Sequence, residues 1–314
     1  MGYLLTPRSS PDEAADYLEL RSLVDPDHNS SALQLISDVC LGGEDEGWEK
    51  PDSASKSTWQ QEQEGLSDGA LTRLEERREH CTSESYPFEI KGHAIRSTTD
   101  AANSLYGFLL LLSFFKGKAP DHKHAAKMFE EVAANAAAGY ISADSEKETF
   151  VFGFPRRVGP DNFKDAVSHL CSNHCLKEGS VNKSAPRIEH QKDGRLDVVA
   201  WKQFPDMRRG RIIVYGQCAT GEDWEEKAFA LRPESWREKW LTEPFLPHPL
   251  SAFFVPHFVP EPDWKNTILD GGLLFDRFRI AATAREKISQ DLAQRIAAWN
   301  QIAIAAAKIA LEIG

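Results

Sequence analysis

Three things are scarce in this chain of 314 residues: basic charge, paired cysteines and long apolar runs. Lys and Arg number 37 against 48 Asp and Glu, a net charge of −11. That balance excludes a protein that coats duplex nucleic acid through bulk charge. Any nucleic-acid contact must be local, or helped by a metal ion or a partner. The five cysteines (40, 81, 171, 175 and 218) are odd in number and irregularly spaced. No disulfide framework is expected from them, and reduced cytoplasmic thiols are. The longest apolar run, LYGFLLLLSFF (105–115), is too short to span a bilayer and predicts a buried helix. The opening MGYLLTPRSSPDE has no basic segment followed by an apolar one, so no signal peptide is expected.

Apolar residues are plentiful enough for a sizeable core: 41% of the chain, with eight Trp and seventeen Phe. Ser10-Pro11-Asp12-Glu13 is a capping-box pattern that predicts a helix over 11–23. A short helix is expected over 30–40, a polar surface loop over 42–68, and a charged helix over 68–81. YPFEIKGHAI (86–95) predicts a strand pair. Helices follow at 100–116 and 122–140, which makes 1–145 a mostly helical region. The pattern then changes. FVFGFPRR (150–157) predicts a short strand, and 160–179 a helix stopped by Gly179. RIEHQKDGRLDVVAWK (187–202) predicts a hairpin turning at Lys-Asp-Gly, RGRIIVYGQ a strand, 222–231 a helix, and SAFFVPHFVP (251–260) another strand. Residues 146–284 thus form a second region. The tail, 285–314, predicts a long helix too apolar for full solvation, packed on the N-terminal region, on another copy or on a partner.

Asp197 opens the buried run LDVVAW, where a carboxylate is costly unless it is paired or on a metal. Gln217 ends a neighbouring β-branched run twenty positions later, followed by residues too small to shield it. Glu178 is expected to close the helix before them, where the helix dipole disfavours it. Hard oxygen donors at adjacent strand tips, with a cation nearby, are what metal-dependent phosphodiester hydrolysis needs. Each also has a plain structural reading. Asp197 can pair with Arg195 or Arg211, Gln217 can cap the next helix, Glu178 can be solvated, and Lys227 can pair with Asp223. His169, Cys171, His174 and Cys175 lack zinc-ligand spacing. Cys218 lacks a placed histidine to activate it.

The strings GRLDVVAWK and IIVYGQCATGEDWEEK resemble the PD-(D/E)xK nuclease superfamily, the restriction-endonuclease-like fold, in its Mrr-like form with Gln on the third strand. Together with YPFEI, LYGFLLLLS and LLFDRFRI they also resemble uncharacterised bacterial proteins of phage-defence neighbourhoods. The resemblance implies an α/β fold with an α-β-β-β-α-β core and mixed sheet, flanked by a helical N-terminal region and a long C-terminal helix. It implies a Mg²⁺- or Mn²⁺-dependent nuclease acting on DNA or RNA, under the control of a protein partner or a second copy. Asp197 would be the main metal ligand, and Gln217 would position metal or water through its carbonyl. Glu178 would assist as ligand or base, and Lys227 would stabilise the developing charge. Arg156, Arg157, Arg208 and Arg209 would contact nucleic acid. One departure matters: the family lysine falls at Ala219 here, which leaves Lys227, and after it Lys202, as migrated candidates. The alternatives are a catalytically inactive subunit of the same fold, and a helical interaction protein whose strands are structural.

Overall fold

The computed structural model describes residues 5, 9–25, 32, 53–81, 85–172 and 175–311. The chain divides into two compact units, residues 1–115 with 293–314 and residues 116–292.

The first unit opens with α1 (Pro11–Val24), started by the expected capping box. Ser10 N–H donates to Glu13 Oε2 at 2.8 Å, and Glu13 N–H donates to Ser10 Oγ at 3.2 Å. The next helix, α2 (Ser53–His80), begins well inside the stretch expected to be a loop. Its QQEQE segment is polar but made of good helix formers, and Leu66, Ala70, Leu74 and Arg77 repeat at helical spacing on a buried face. Residues 42–52, and all but Ala32 of the helix expected over 30–40, lie outside the described residues. The strand pair is present as β1 (Phe88–Lys91) and β2 (Ala94–Ser97), and α3 (Leu105–Phe115) follows.

The second unit begins with α4 (His122–Tyr140) and β3 (Thr149–Val151), then α5 (Phe163–Cys171), β4 (Ser180–Val181), β5 (Val198–Lys202) and β6 (Ile212–Cys218). It continues with α6 (Trp224–Lys227), α7 (Pro233–Trp240), β7 (Leu241–Glu243), β8 (Leu250–Phe254), α8 (Glu261–Gly271), β9 (Leu273–Phe275) and α9 (Arg277–Ala284). The main sheet runs β3-β5-β6-β8-β9. Its first three strands are antiparallel, while β8 and β9 join in parallel, so the sheet is mixed. The protein is therefore an α/β protein, and α4 falls with the sheet rather than with the N-terminal helices.

Strand alternation sorts the sheet residues. Val199, Trp201, Ile213 and Tyr215 share one apolar cluster with Phe163 and Leu170 of α5 and Trp236 and Trp240 of α7. At Gly139 of α4 a Cβ would overlap the Thr283 carbonyl, so glycine there lets α4 and α9 pack closely.

Three expected elements differ. The hairpin over 187–202 does not form: Ile188–His190 is a 3-10 turn, and β5 takes β3 and β6 as partners. Arg187, Gly194 and Arg195 all adopt positive φ (60°, 63° and 68°), which breaks the extended path that a first hairpin arm would need. The helix expected over 160–179 ends at Cys171, where Ser172 Oγ donates to the His169 carbonyl at 2.6 Å. The helix expected over 222–231 is the four-residue α6.

The long C-terminal helix, α10 (Gln290–Ala310), belongs from Ala293 onward to the first unit. There Trp299 packs edge-on against Phe108 at 5.2 Å, and Asn300 Nδ2 donates to the Ser104 carbonyl at 3.1 Å. Among the described residues no helix is long and apolar enough to cross a membrane.

Candidate active site

The register Val198↔Gly216 brings Asp197 and Gln217 to the same end of two neighbouring strands. Asp197 is tied in on all sides by backbone. Its N–H donates to the Gly216 carbonyl at 2.9 Å, and its own carbonyl accepts from Phe152 N–H at 2.7 Å and Gly153 N–H at 3.0 Å. Its side chain continues the ladder, with Oδ2 accepting from Cys218 N–H at 2.8 Å. Burial pushes the Asp197 carboxyl up to about 6 against the pull of that hydrogen bond; Asp193 adds to the rise, and Lys127 and Lys227 oppose it. Neither Arg195 nor Arg211 pairs with it.

Gln217, in register with Phe253 of β8, is 7% exposed, and its Oε1 has no hydrogen-bond partner. A buried amide oxygen left without a donor costs on the order of 1–3 kcal/mol. The side chain does not cap α6, where no side-chain cap bond forms.

A helix completes the cluster. Glu130 of α4 is buried, and Lys127 Nζ lies 2.8 Å from both of its carboxyl oxygens. The Glu130 carboxyl rests against Gly153, where a Cβ would overlap Oε2 and lie 2.6 Å from Cδ. The same Gly153 donates its N–H to Asp197, so glycine at the end of β3 lets the helix carboxyl approach the strand tips. Burial, and then the charge of Asp197, push Glu130 up to about 8. Two carboxyls and an unpartnered amide oxygen thus lie at one sheet end, where the charges of Lys127 and Lys227 act on Asp197.

Sequence reasoning missed Lys127 and Glu130. Their only signal was an i,i+3 ion pair in a helix whose neighbours Ala125, Met128 and Phe129 are all buried.

The other expected residues are engaged elsewhere. Glu178 is not in a helix; it precedes β4, fully buried. Its Oε1 accepts from Leu246 N–H at 2.7 Å, and its Oε2 lies 3.5 Å from Arg211. None of these contacts is shared with Asp197 or Gln217, so Glu178 serves as counter-charge to a buried arginine. Lys227 pairs with Asp223 at 2.8 Å, as its plain reading expects, although its charge still reaches Asp197. Lys202 closes the opposite end of β5, 3.7 Å from Glu148.

Three of the four arginines expected on nucleic acid hold protein groups, and the fourth, Arg208, is exposed. Arg156, 8% exposed, donates to the Asp161 and Lys192 carbonyls and covers the Phe152 ring. Arg157 joins Glu131 and Asp291, each at 3.1 Å, and Arg209 joins Glu243 at 2.8 Å. Arg208 is well exposed and lies 3.9 Å from Asp206.

Burial pushes the Cys171 and Cys175 thiols up to about 12 and 11, and Cys218 well above its ordinary value, so all three stay protonated and unreactive. His174 lies outside the described residues. Among the described residues no three or more His, Cys, Asp or Glu side chains are grouped to hold a metal ion. The oxygen donors at the sheet end are therefore a carboxyl, an amide and the lysine-bound Glu130. That set suits a hard cation completed by water and phosphate, the usual protein binding mode of Mg²⁺, rather than a caged ion. No family model, curated protein or solved structure matches the chain.

Proposed function

We propose that the protein hydrolyses nucleic-acid phosphodiester bonds with the help of Mg²⁺ or Mn²⁺, through a restriction-endonuclease-like core. The observation that carries the proposal is the orphaned Gln217 Oε1 beside Asp197, a buried acceptor that a cation would satisfy. The element order α4, β3, β5, β6, α6, β8 supports the α-β-β-β-α-β reading, with α5 and the β4–β7 pair as insertions. In that order Glu130, not Glu178, is the helix glutamate.

Asp197 and Gln217 would hold the ion, which when bound supplies Lewis-acid stabilisation of the phosphate. The chain's residues do the rest. Cys218 N–H fixes one Asp197 oxygen and leaves Oδ1 directed by the strand. Gly153 gives Glu130 room to approach. The apolar wall of Ala219, Phe253 and Val255 lowers the local dielectric behind the donors. The sequence resemblance extends the proposal to defence against phage under the control of a partner.

Ala219 favours a second reading, a nucleic-acid-binding subunit that does not cut. Cleavage of supercoiled plasmid with Mg²⁺ or Mn²⁺ separates the two. The nuclease reading expects metal-dependent nicking by the native protein that is lost in Asp197→Asn; binding without metal-dependent cutting supports the subunit.

A further inference from the structure

We infer that Lys127 is the catalytic cation of this site, supplied from a helix because the third strand cannot supply it. The inference rests on the phosphodiesterase reading above. Ala219 is 2% exposed, its N–H is taken by the Phe254 carbonyl at 3.0 Å, and its side chain packs with Ala228, Phe253 and Val255. A lysine stem has no place there. Lys202 lies at the far end of a five-residue strand, on the order of 15 Å from Asp197 at about 3.3 Å per residue. Lys227 is bound to Asp223 with its side chain 42% exposed, in a setting where solvent weakens its charge.

Lys127 differs in each respect. Its side chain is 26% exposed, and Glu130 holds it through both carboxyl oxygens. Glu130 in turn is seated on Gly153, one hydrogen bond from Asp197. Its charge acts on Asp197 and on Cys218, at the two strand tips. An ammonium has three donors. Two are spent on Glu130, which leaves one for a non-bridging phosphate oxygen. A fixed, largely desolvated charge of this kind needs no reorganisation as the transition state forms, the condition under which such groups contribute most.

The reaction balances without proton transfer by Lys127. A water oxygen forms the new bond to phosphorus, and the bond from phosphorus to the leaving oxygen breaks. The water's proton is released to solvent, and the leaving oxygen takes one from solvent. Lys127 stays protonated and stabilises the added negative charge on the phosphate. Glu130 is a positioning residue that acts through Lys127.

The test compares single-turnover plasmid cleavage in Mn²⁺ by the native protein, Lys127→Met, Lys127→Arg, Lys202→Met and Asp197→Asn. Thermal unfolding is recorded with and without Mn²⁺. Removing the cation is expected to slow cleavage by on the order of 10²–10³, with the Mn²⁺-induced rise in Tm kept. Lys127→Arg is expected to regain at least about tenfold, and Lys202→Met to stay within about threefold of native. If Lys127→Met does not unfold cooperatively, the double variant Lys127→Gln/Glu130→Gln, which keeps the pair hydrogen-bonded without charge, takes its place. Metal-dependent cutting that survives loss of the Lys127 charge overturns the inference and leaves the phosphodiesterase reading standing, as does an arginine no better than methionine. A native protein that does not cut at all overturns both.

Discussion

Asp197→Asn is expected to make the metal-free protein more stable. The Asp197 carboxyl is raised from an ordinary 3.8 to about 6, and at pH 7.5 it is ionised in both the folded and unfolded chain. A shift of roughly two units at about 1.4 kcal/mol per unit gives about 3 kcal/mol by which the folded state is disfavoured. Asparagine removes the charge, and its carbonyl oxygen can still accept from Cys218 N–H. In a unit of the size of residues 116–292, about 3 kcal/mol corresponds to a Tm rise of roughly 6–12 °C. The pH dependence fixes the sign. A carboxyl whose folded pKa is raised holds its proton longer in the folded state, so the native chain recovers stability as pH falls from about 6 towards 4. The gap between native and Asp197→Asn should be open at pH 7.5 and nearly closed at pH 4. Mn²⁺ is expected to reverse the order, because an ion that binds only the folded native site would stabilise it by mass action, and the variant should not respond. Melts in EDTA and in Mn²⁺ across this pH range read all three effects. An Asp197→Asn protein that melts below native at pH 7.5 in EDTA, with a pH-independent gap, refutes the reasoning.

Gly153→Ala should push the Glu130 carboxyl away from Asp197, because the new Cβ overlaps Oε2. Because only the flexible end of Glu130 has to give way, the expected result is a stability change of no more than about 1 kcal/mol by denaturant unfolding and at least about tenfold slower cleavage in the plasmid assay. Glu178→Gln leaves Arg211, whose side chain is 1% exposed, without its counter-charge. It should cost about 3–5 kcal/mol, while the protein that remains folded keeps its Mn²⁺ response. A Glu178→Gln protein of native stability that neither binds Mn²⁺ nor cuts would return Glu178 to the site.

Much of the fold could be read locally because its determinants are local. The box formed by Ser10 and Glu13 needs only four residues to start α1, and Gly92 turns Phe88–Lys91 back on Ala94–Ser97. Asp197 and Gln217 stand out in the sequence for a related reason: a polar residue at either end of an apolar run, just before β5 and within β6, is conspicuous. The polar loop expected over 42–68 gives way to helix from Ser53 because composition reports solvation, and a helix can be solvated along most of its length. Glu178 failed at one residue. α5 ends at Cys171, short of position 178, and Arg211, thirty-three residues on, is the charge that Glu178 meets.

Glu130 and Lys127 mark where local reading stops. At i,i+3 on an alanine-rich helix they look like any surface ion pair, and the helix belongs by sequence to a helical region. Their significance comes from Gly153, a residue twenty-three positions away whose missing Cβ admits the carboxyl, and from Asp197, forty-four positions further on. No periodicity links three residues on a helix, a strand end and a second strand. The link is steric and electrostatic at once. The space opened by Gly153 admits the Glu130 carboxyl, burial and then the charge of Asp197 raise it, and Lys127, which binds it through two donors, is left with one to spare. Two carboxyls held above their ordinary range by burial are a cost to the fold by this reckoning, and a cation and a phosphate are the partners that would offset it.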